Sequence, residues 1–326
     1  MVNLETRYLG LRLSNPIVVG SSGLTKNVDK MKACEQAGAG AVVVKSLFEE
    51  VLAREDYGVG GSTEYHTEAY DYLRAQLEMQ YGPRDYCRIL EDAKKSLTIP
   101  VIASINCVSA KWWPSYAVQL ESAGADALEL NVYPMPVSTD TAGATIENSY
   151  YDIAAAVRDK VKIPVAIKIS PGFTSLPQVA AELCRRGADG LVLFNRFTEP
   201  DIDINNLKLK TTFHFSSQRE LHLPLRWIAL LHGKVDGDLA ASTGVHSTEG
   251  LIKLLLAGAS AVQIASVLYQ NGLGKIEQMV SELGEWMEQQ GLQTLDQVIG
   301  RLSFARTETP DHYLRAQFIE TIRGVE

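Results

Sequence analysis

The sequence predicts an α/β protein folded as one (β/α)8 TIM barrel with long loops after its second and sixth strands and extra C-terminal helices. Three observations carry this. A phrase recurs in which Gly closes a helix and a β-rich apolar run follows at once. Two near-identical strand openings, Ile99-Pro100-Val101 and Ile163-Pro164-Val165, use Pro where a strand begins and no ladder bond is lost. Between the strands the apolar spacing switches to a helical period. Continuous apolar strands alternating with helices imply parallel strands joined by right-handed crossovers, and eight such units close most naturally into a barrel.

In chain order, the strands are expected in Asn15-Pro16-Ile17-Val18-Val19-Gly20, then Gly38-Ala39-Gly40-Ala41-Val42-Val43-Val44-Lys45, then Ile99-Pro100-Val101-Ile102-Ala103-Ser104. The fourth is Gly124-Ala125-Asp126-Ala127-Leu128-Glu129-Leu130-Asn131 and the fifth Ile163-Pro164-Val165-Ala166-Ile167-Lys168. The sixth is Gly187-Ala188-Asp189-Gly190-Leu191-Val192-Leu193-Phe194-Asn195. Gly237-Asp238-Leu239-Ala240-Ala241-Ser242 and Gly258-Ala259-Ser260-Ala261-Val262-Gln263-Ile264-Ala265 complete the set. Helical faces are read from Tyr116, Val118, Leu120 and Ala123, and from Leu251, Ile252, Leu254, Leu255 and Leu256. The connections from Leu47 to about Tyr81 and from Arg196 to about Leu223 each run to roughly thirty residues, which marks them as functional loops over the catalytic face. An amphipathic segment around Tyr313, Leu314, Phe318 and Ile319 is expected to cap the barrel's outside. With no linker-like stretch, residues 1–326 read as a single domain.

The net charge of −8, from 31 Lys+Arg against 39 Asp+Glu, makes nucleic acid an unfavourable partner. The start of the chain lacks a basic-then-apolar signal pattern, and no apolar run approaches the roughly 18 to 20 residues of a membrane span. A cytoplasmic protein is expected. Cys34, Cys87, Cys107 and Cys184 lie far apart with no C-x-x-C pair, so no metal centre is expected and the thiols read as reduced core residues.

In a barrel of this kind the residues at the C-terminal strand ends face the site. That rule selects Ser21, Ser22, Lys45, Ser104, Asn131, Lys168, Asn195, the turn from Ser242 to Gly244, and Ala265 with Ser266. A lysine at the end of a buried apolar run is costly to desolvate unless it meets an anion or a polarised ring. Lys45 and Lys168 both occupy such positions, with amides on the fourth and sixth strands, so an electron-rich heterocycle across the barrel mouth is the expected ligand. The alternative is that they pair with barrel glutamates such as Glu129. The last two strands end where barrels commonly bind phosphate, and Ser247 can cap the helix that follows, with Glu249 and Gly250 in its first turn.

Across nearly the whole chain these residues resemble the dihydroorotate dehydrogenases, most like the soluble class 1 branch. The resemblance is carried by Asn15-Pro16 with Ser21, Val44-Lys45-Ser46, Glu129-Leu130-Asn131, Lys168, Asn195, Thr243-Gly244-Val245 and Gln263-Ile264-Ala265-Ser266. It implies a flavin mononucleotide (FMN) whose phosphate is held by Gly244, Val245, Ala265 and Ser266. The ring would lie near Ser21, Ser22, Lys45, Ser46, Ser104, Asn131, Lys168 and Asn195, with Lys168 facing its pyrimidine edge. It also implies a homodimer that acts on a small-molecule substrate of the CH–CH donor class in pyrimidine biosynthesis. Electrons would pass to a soluble acceptor or a separate electron-transfer protein.

The departures lie in the loops. Where the family continues the fourth strand as Asn-Leu-Ser-Cys-Pro-Asn, with Cys or Ser as general base, this chain reads Asn131-Val132-Tyr133-Pro134-Met135-Pro136. Proton abstraction from carbon needs a positioned acceptor. Tyr133 is the nearest ionisable group and is either a proton carrier beside Lys45 or an aromatic lid; Ser138 and Thr139 are weaker candidates on the same loop. In the loop after the second strand, Arg74 and Gln80 stand where the family has substrate-binding asparagines, while Asn131 and Asn195 remain. Lys45, Arg74, Asn131 and Asn195 are therefore the candidate substrate ligands, with Arg74 able to grip a carboxylate bidentately. Arg196 follows Asn195 where the family prefers Ser or Thr, and Ser216-Ser217-Gln218 replaces glycines. Two other classes stay open: a flavin-binding subunit without catalysis, and a flavin-free phosphate-binding barrel with a Schiff-base lysine.

Overall fold

A computed structural model describes residues 2–48, 82–107, 113–197, 200–315, 319 and 322. The chain begins with an antiparallel hairpin, β1 (Thr6–Tyr8) and β2 (Leu11–Leu13), in register Thr6↔Leu13 and Tyr8↔Leu11. Its two-residue turn, Leu9 (φ 55°) and Gly10 (φ 70°), places both central residues in the left-handed region, the geometry whose twist matches a hairpin.

Next come β3 (Ile17–Val19), α1 (Val28–Gln36), β4 (Ala41–Val43) and the short β5 (Leu47–Phe48). They are followed by α2 (Pro83–Ser96), β6 (Val101–Cys107), α3 (Trp113–Ser122), β7 (Ala127–Val132), α4 (Gly143–Arg158), β8 (Val165–Ile169), α5 (Leu176–Arg185) and β9 (Gly190–Leu193). A second antiparallel hairpin, β10 (Pro200–Asp203) and β11 (Lys208–Thr211), precedes α6 (His222–Leu231). The chain continues through β12 (Asp238–Ser242), α7 (Thr248–Ala257), β13 (Ala261–Ile264), α8 (Ser266–Asn271) and α9 (Gly274–Gln289). Strands β3, β4, β6, β7, β8, β9, β12 and β13 pair in parallel in that cyclic order, and the β13–β3 pairing closes the barrel. All eight coincide with the strands expected from sequence. Pro100 and Pro164 sit just before β6 and β8, where their carbonyls accept from Val42 N–H at 3.1 Å and Leu128 N–H at 2.8 Å.

Every barrel strand alternates, so its inward residues can be read by twos. The lower interior layer is small: Ala41, Ala127, Ala166, Ala240 and Ala261, with Val18, Ile102 and Val192. Those alanines leave room for the β1–β2 hairpin, whose Tyr8, Leu9 and Leu13 are buried among them and plug that end. Two residues further on, the same strands present Ser104, Glu129, Lys168, Ser242 and Gln263, a polar layer toward the other mouth. Outside the strands, the helices pack a continuous apolar shell.

Three expectations change. The inner face of α3 is Trp113, Tyr116, Ala117 and Leu120, whereas Val118 is on the outer side. The long connection after β9 contains the β10–β11 hairpin and a 3-10 turn rather than bare loop. Around Tyr313 the chain makes a 3-10 turn over Pro310–Tyr313, and the described residues beyond it, Arg315, Ile319 and Ile322, are helical; Leu314, Ile319 and Ile322 are exposed rather than packed on the barrel, and Phe318 lies outside the described residues. Of the connection from Leu47 to Tyr81, only β5 and its link to β6 fall among the described residues.

Candidate active site

The ends of β8, β9, β12 and β13, with the turn after β3 and the loop before α6, enclose a cleft of about 530 Å³. That lies within the roughly 300 to 1,000 Å³ of small-molecule and cofactor sites. Lys168 and Arg196 bring two cations to its walls, and none of its described lining residues is Asp or Glu. Each cation has a carboxylate partner outside the lining, Glu129 at 3.7 Å from Lys168 and Glu220 at 2.7 Å from Arg196, so the described lining itself presents cations and no carboxylate to a ligand.

Lys168 reaches it from β8, with its side chain only 12% exposed. The ammonium donates to Gln263 Oε1 at 2.8 Å and lies 3.7 Å from Glu129 Oε1. The glutamate pairing weighed for Lys168 is thus present, yet the lysine also faces the cleft. Ser21, Ser22, Asn195, Gly244, Val245, Ala265 and Ser266 line the same cleft.

At the cleft end formed by β12 and β13, the chain after β12 turns through Thr243 (φ 80°) and Gly244 (φ 82°). A Cβ on Gly244 would lie 2.3 Å from the backbone nitrogen of Leu221, so only glycine permits this close approach. Val245 is buried and lines the cleft beside Gly244. Ser247 caps α7 as expected, accepting from Gly250 N–H at 3.2 Å. Ser266 Oγ accepts from Ser216 N–H at 3.2 Å, and the Ser216 hydroxyl meets His246 Nε2 at 2.9 Å. Three barrel-end loops are tied together in this way. Burial pulls the His246 imidazole below its ordinary value, favouring the neutral ring.

Ser46, Ser104 and Asn131 are not among the cleft's described lining residues; they form a polar network bonded to Ser21 and Asn195, which are. Ser46 N–H donates to Ser21 Oγ at 2.8 Å, and the Ser46 hydroxyl lies 2.7 Å from that of Ser104. Asn131 Nδ2 donates to Ser104 Oγ at 3.0 Å, and Asn195 Nδ2 to Asn131 Oδ1 at 3.5 Å. Tyr86, buried on α2, clamps this layer by accepting from Ser104 N–H at 2.9 Å and donating to the Ser104 carbonyl at 3.1 Å. Lys45 is half-buried just beyond β4, its main-chain N–H on the Thr25 carbonyl at 3.3 Å. Tyr133 stacks on Phe197 with centroids 3.3 Å apart, and its hydroxyl is 3.8 Å from Met135 Sδ. Arg74 lies outside the described residues. Arg196 pairs with Glu220 at 2.7 Å and donates to the His214 carbonyl at 2.6 Å, which fixes it to the loop that walls the cleft.

Sequence reasoning missed Gln263 as the group that holds Lys168, and the aromatic wall of Phe213, Phe215 and Tyr269. Phe215 stacks on Tyr269 at 5.4 Å and meets Phe213 edge-on at 5.2 Å. The signal available was Phe213-His214-Phe215, an aromatic alternation in a segment otherwise read as polar loop. The donor set fits a flavin mononucleotide: hydroxyls and main chain at one end for a phosphate, a lysine at the other for an electron-rich ring, and an aromatic wall beside them.

Residues 67–287 match the sequence profile of the family described as dihydroorotate dehydrogenase. The chain is 26% identical over 310 residues to the catalytic subunit of dihydroorotate dehydrogenase B (NAD(+)) from Thermoplasma volcanium, covering 92% of this chain and 98% of that one. It is 28% identical over 307 residues to the corresponding subunit of Methanocaldococcus jannaschii, covering 91% and 97%.

Proposed function

The chain belongs to the dihydroorotate dehydrogenase family, FMN-dependent oxidoreductases acting on CH–CH donors, and from that premise we propose that its own substrate is dihydroorotate or a closely related small heterocycle. Family membership sets aside the flavin-free barrel. The observation that carries the reading is Lys168: a nearly buried ammonium on the wall of a cleft whose described lining holds no carboxylate.

FMN, when bound, supplies the hydride-accepting ring. The residues of this chain do the rest. Lys168 would hold the electron-rich part of that ring and oppose negative charge on it, and Ser21, Ser22 and Asn195 would hold ring and substrate through their polar groups. The main chain at Gly244 and Val245, with Ala265 and Ser266, receives the phosphate at the terminus of a short helix. Asn131 and Asn195, aligned through Ser104 and Ser46, present amides to a polar heterocycle, with Lys45 as a further substrate ligand. Arg74 serves as the grip on a substrate carboxylate. Tyr133 holds or moves the substrate proton at its phenol oxygen, in place of the missing Cys or Ser.

The reading includes electron transfer to a soluble acceptor or a separate electron-transfer protein, supported by relatives whose names describe them as catalytic subunits. It also includes a cytoplasmic homodimer. The dimer is supported by β10–β11, where Ile202 and Leu209 pair across the hairpin at 63% and 82% exposure. The other face of that hairpin carries Asp201 opposite Lys210 and Asp203 opposite Lys208, a ladder with both signs for a second copy to meet.

The test is the visible spectrum of the purified protein. An oxidised-flavin spectrum with FMN near one per chain is expected, and Lys168→Met should weaken FMN binding on the order of tenfold. A protein that stays colourless after incubation with FMN overturns the reading.

A further inference from the structure

Glu129 is buried to 1% exposure inside the barrel, on the inward face of β7 between Ala127 and Asn131. Its Oε2 accepts a short hydrogen bond from Gln263 Nε2. Its Oε1 accepts none among the described residues and faces Lys168 Nζ at 3.7 Å. Gln263 has both ends of its amide engaged, since its Oε1 accepts from Lys168 at 2.8 Å. A lysine only donates and a carboxylate only accepts, so this arrangement admits one orientation of the amide. Buried polar groups near Glu129 include the phenols of Tyr8 and Tyr86, both pushed up mainly by burial, with the charge of Glu129 adding to the rise in each.

Stability gives no reason for this triad, because a buried ion pair is commonly matched or bettered by apolar residues of similar volume. Its geometric effect is on Lys168. A negative charge lies behind the ammonium, opposite the cleft, and an amide bridge keeps ammonium and carboxylate from closing to direct contact.

We propose that Glu129 is a positioning residue that acts through Gln263 and Lys168 to part-neutralise the cation and hold the bound flavin's reduction potential below the value the lysine alone would confer. This rests on the reading that Lys168 faces the flavin. A cation at the pyrimidine edge favours the electron-rich reduced ring, and a buried carboxylate behind that cation opposes it. The wild-type residues thus set a balance rather than a maximum.

The experiment uses full-length, FMN-saturated protein. It measures sulfite affinity by visible titration, since the sulfite adduct places the same charge on the ring, and the midpoint potential by equilibration with a reference dye. Glu129→Gln keeps the shape and removes the charge. It should tighten sulfite binding on the order of tenfold and move the potential positive. Lys168→Met should do the reverse. Gln263→Met lets ammonium and carboxylate meet directly and should weaken sulfite binding; it decides the matter if Glu129→Gln does not fold. The inference is overturned if Lys168→Met weakens sulfite binding while Glu129→Gln stays within twofold of wild type, or if Gln263→Met leaves the affinity unchanged or tighter. Absence of any effect in Lys168→Met, or of bound flavin in the wild type, overturns instead the placement on which the inference rests.

Discussion

Tyr133 directly follows β7, where we propose the proton carrier, and its ring lies flat on Phe197, 3.3 Å between centroids. Stacking fixes the ring plane, and among the described residues the hydroxyl makes a long contact to Met135 Sδ. A phenol so held has its oxygen available for a substrate. Tyr133→Phe retains the stack and removes the oxygen, so turnover should fall on the order of 10²-fold while the FMN content is unchanged. Steady-state kinetics beside the flavin spectrum check this; full turnover in Tyr133→Phe shows the ring to be a lid. Cys34 and Cys184 are poor candidates for such a role, since burial pushes their thiols up to about 11, well away from a nucleophile's range.

Among the elements, the N-terminal hairpin does what no barrel strand does, filling the lower interior that the alanine layer leaves open. Tyr8 is fully buried and its hydroxyl has no hydrogen-bond partner among the described residues. Two substitutions separate its contributions. Tyr8→Ala should cost about 3 to 5 kcal/mol by opening a cavity at the centre of the plug. Tyr8→Phe should be neutral or stabilising, since it removes a desolvated, unpaired hydroxyl and keeps the ring. Denaturant unfolding of both variants measures this, and a Tyr8→Phe loss as large as that of Tyr8→Ala contradicts it. The hairpin was not legible in the sequence. Three-residue strands such as Thr6-Arg7-Tyr8 carry too little alternation to stand out, and their burial comes from alanines scattered over five barrel strands. The eight barrel strands were legible for the opposite reason. Their signals are local: a glycine that ends a helix, then an apolar run, as at Gly124 and Gly187, whose φ values of 92° and 105° need glycine. The candidate site divides the same way. Strand-end residues such as Lys168 and Asn131 follow from register, whereas the meeting of Lys168 with Gln263 joins positions 95 residues apart and appears only on closure of the barrel.

For the molecule as a whole, the two mouths of the barrel differ in kind. One is sealed by apolar packing, and the other opens on a cationic cleft walled by Phe213, Phe215 and Tyr269. The exposed face of β10–β11 lies on the connection that follows β9, one of the strands ending at this cleft. Sedimentation should show a dimer at micromolar concentration for the wild type and a monomer for the double variant Ile202→Asp, Leu209→Asp with its flavin spectrum retained. A double variant that remains dimeric places the interface elsewhere. Anaerobic titration of the FMN-loaded protein with dihydroorotate shows whether this cleft oxidises that substrate. Loss of the oxidised-flavin absorbance is the expected result; an oxidised spectrum that persists in excess dihydroorotate contradicts the account.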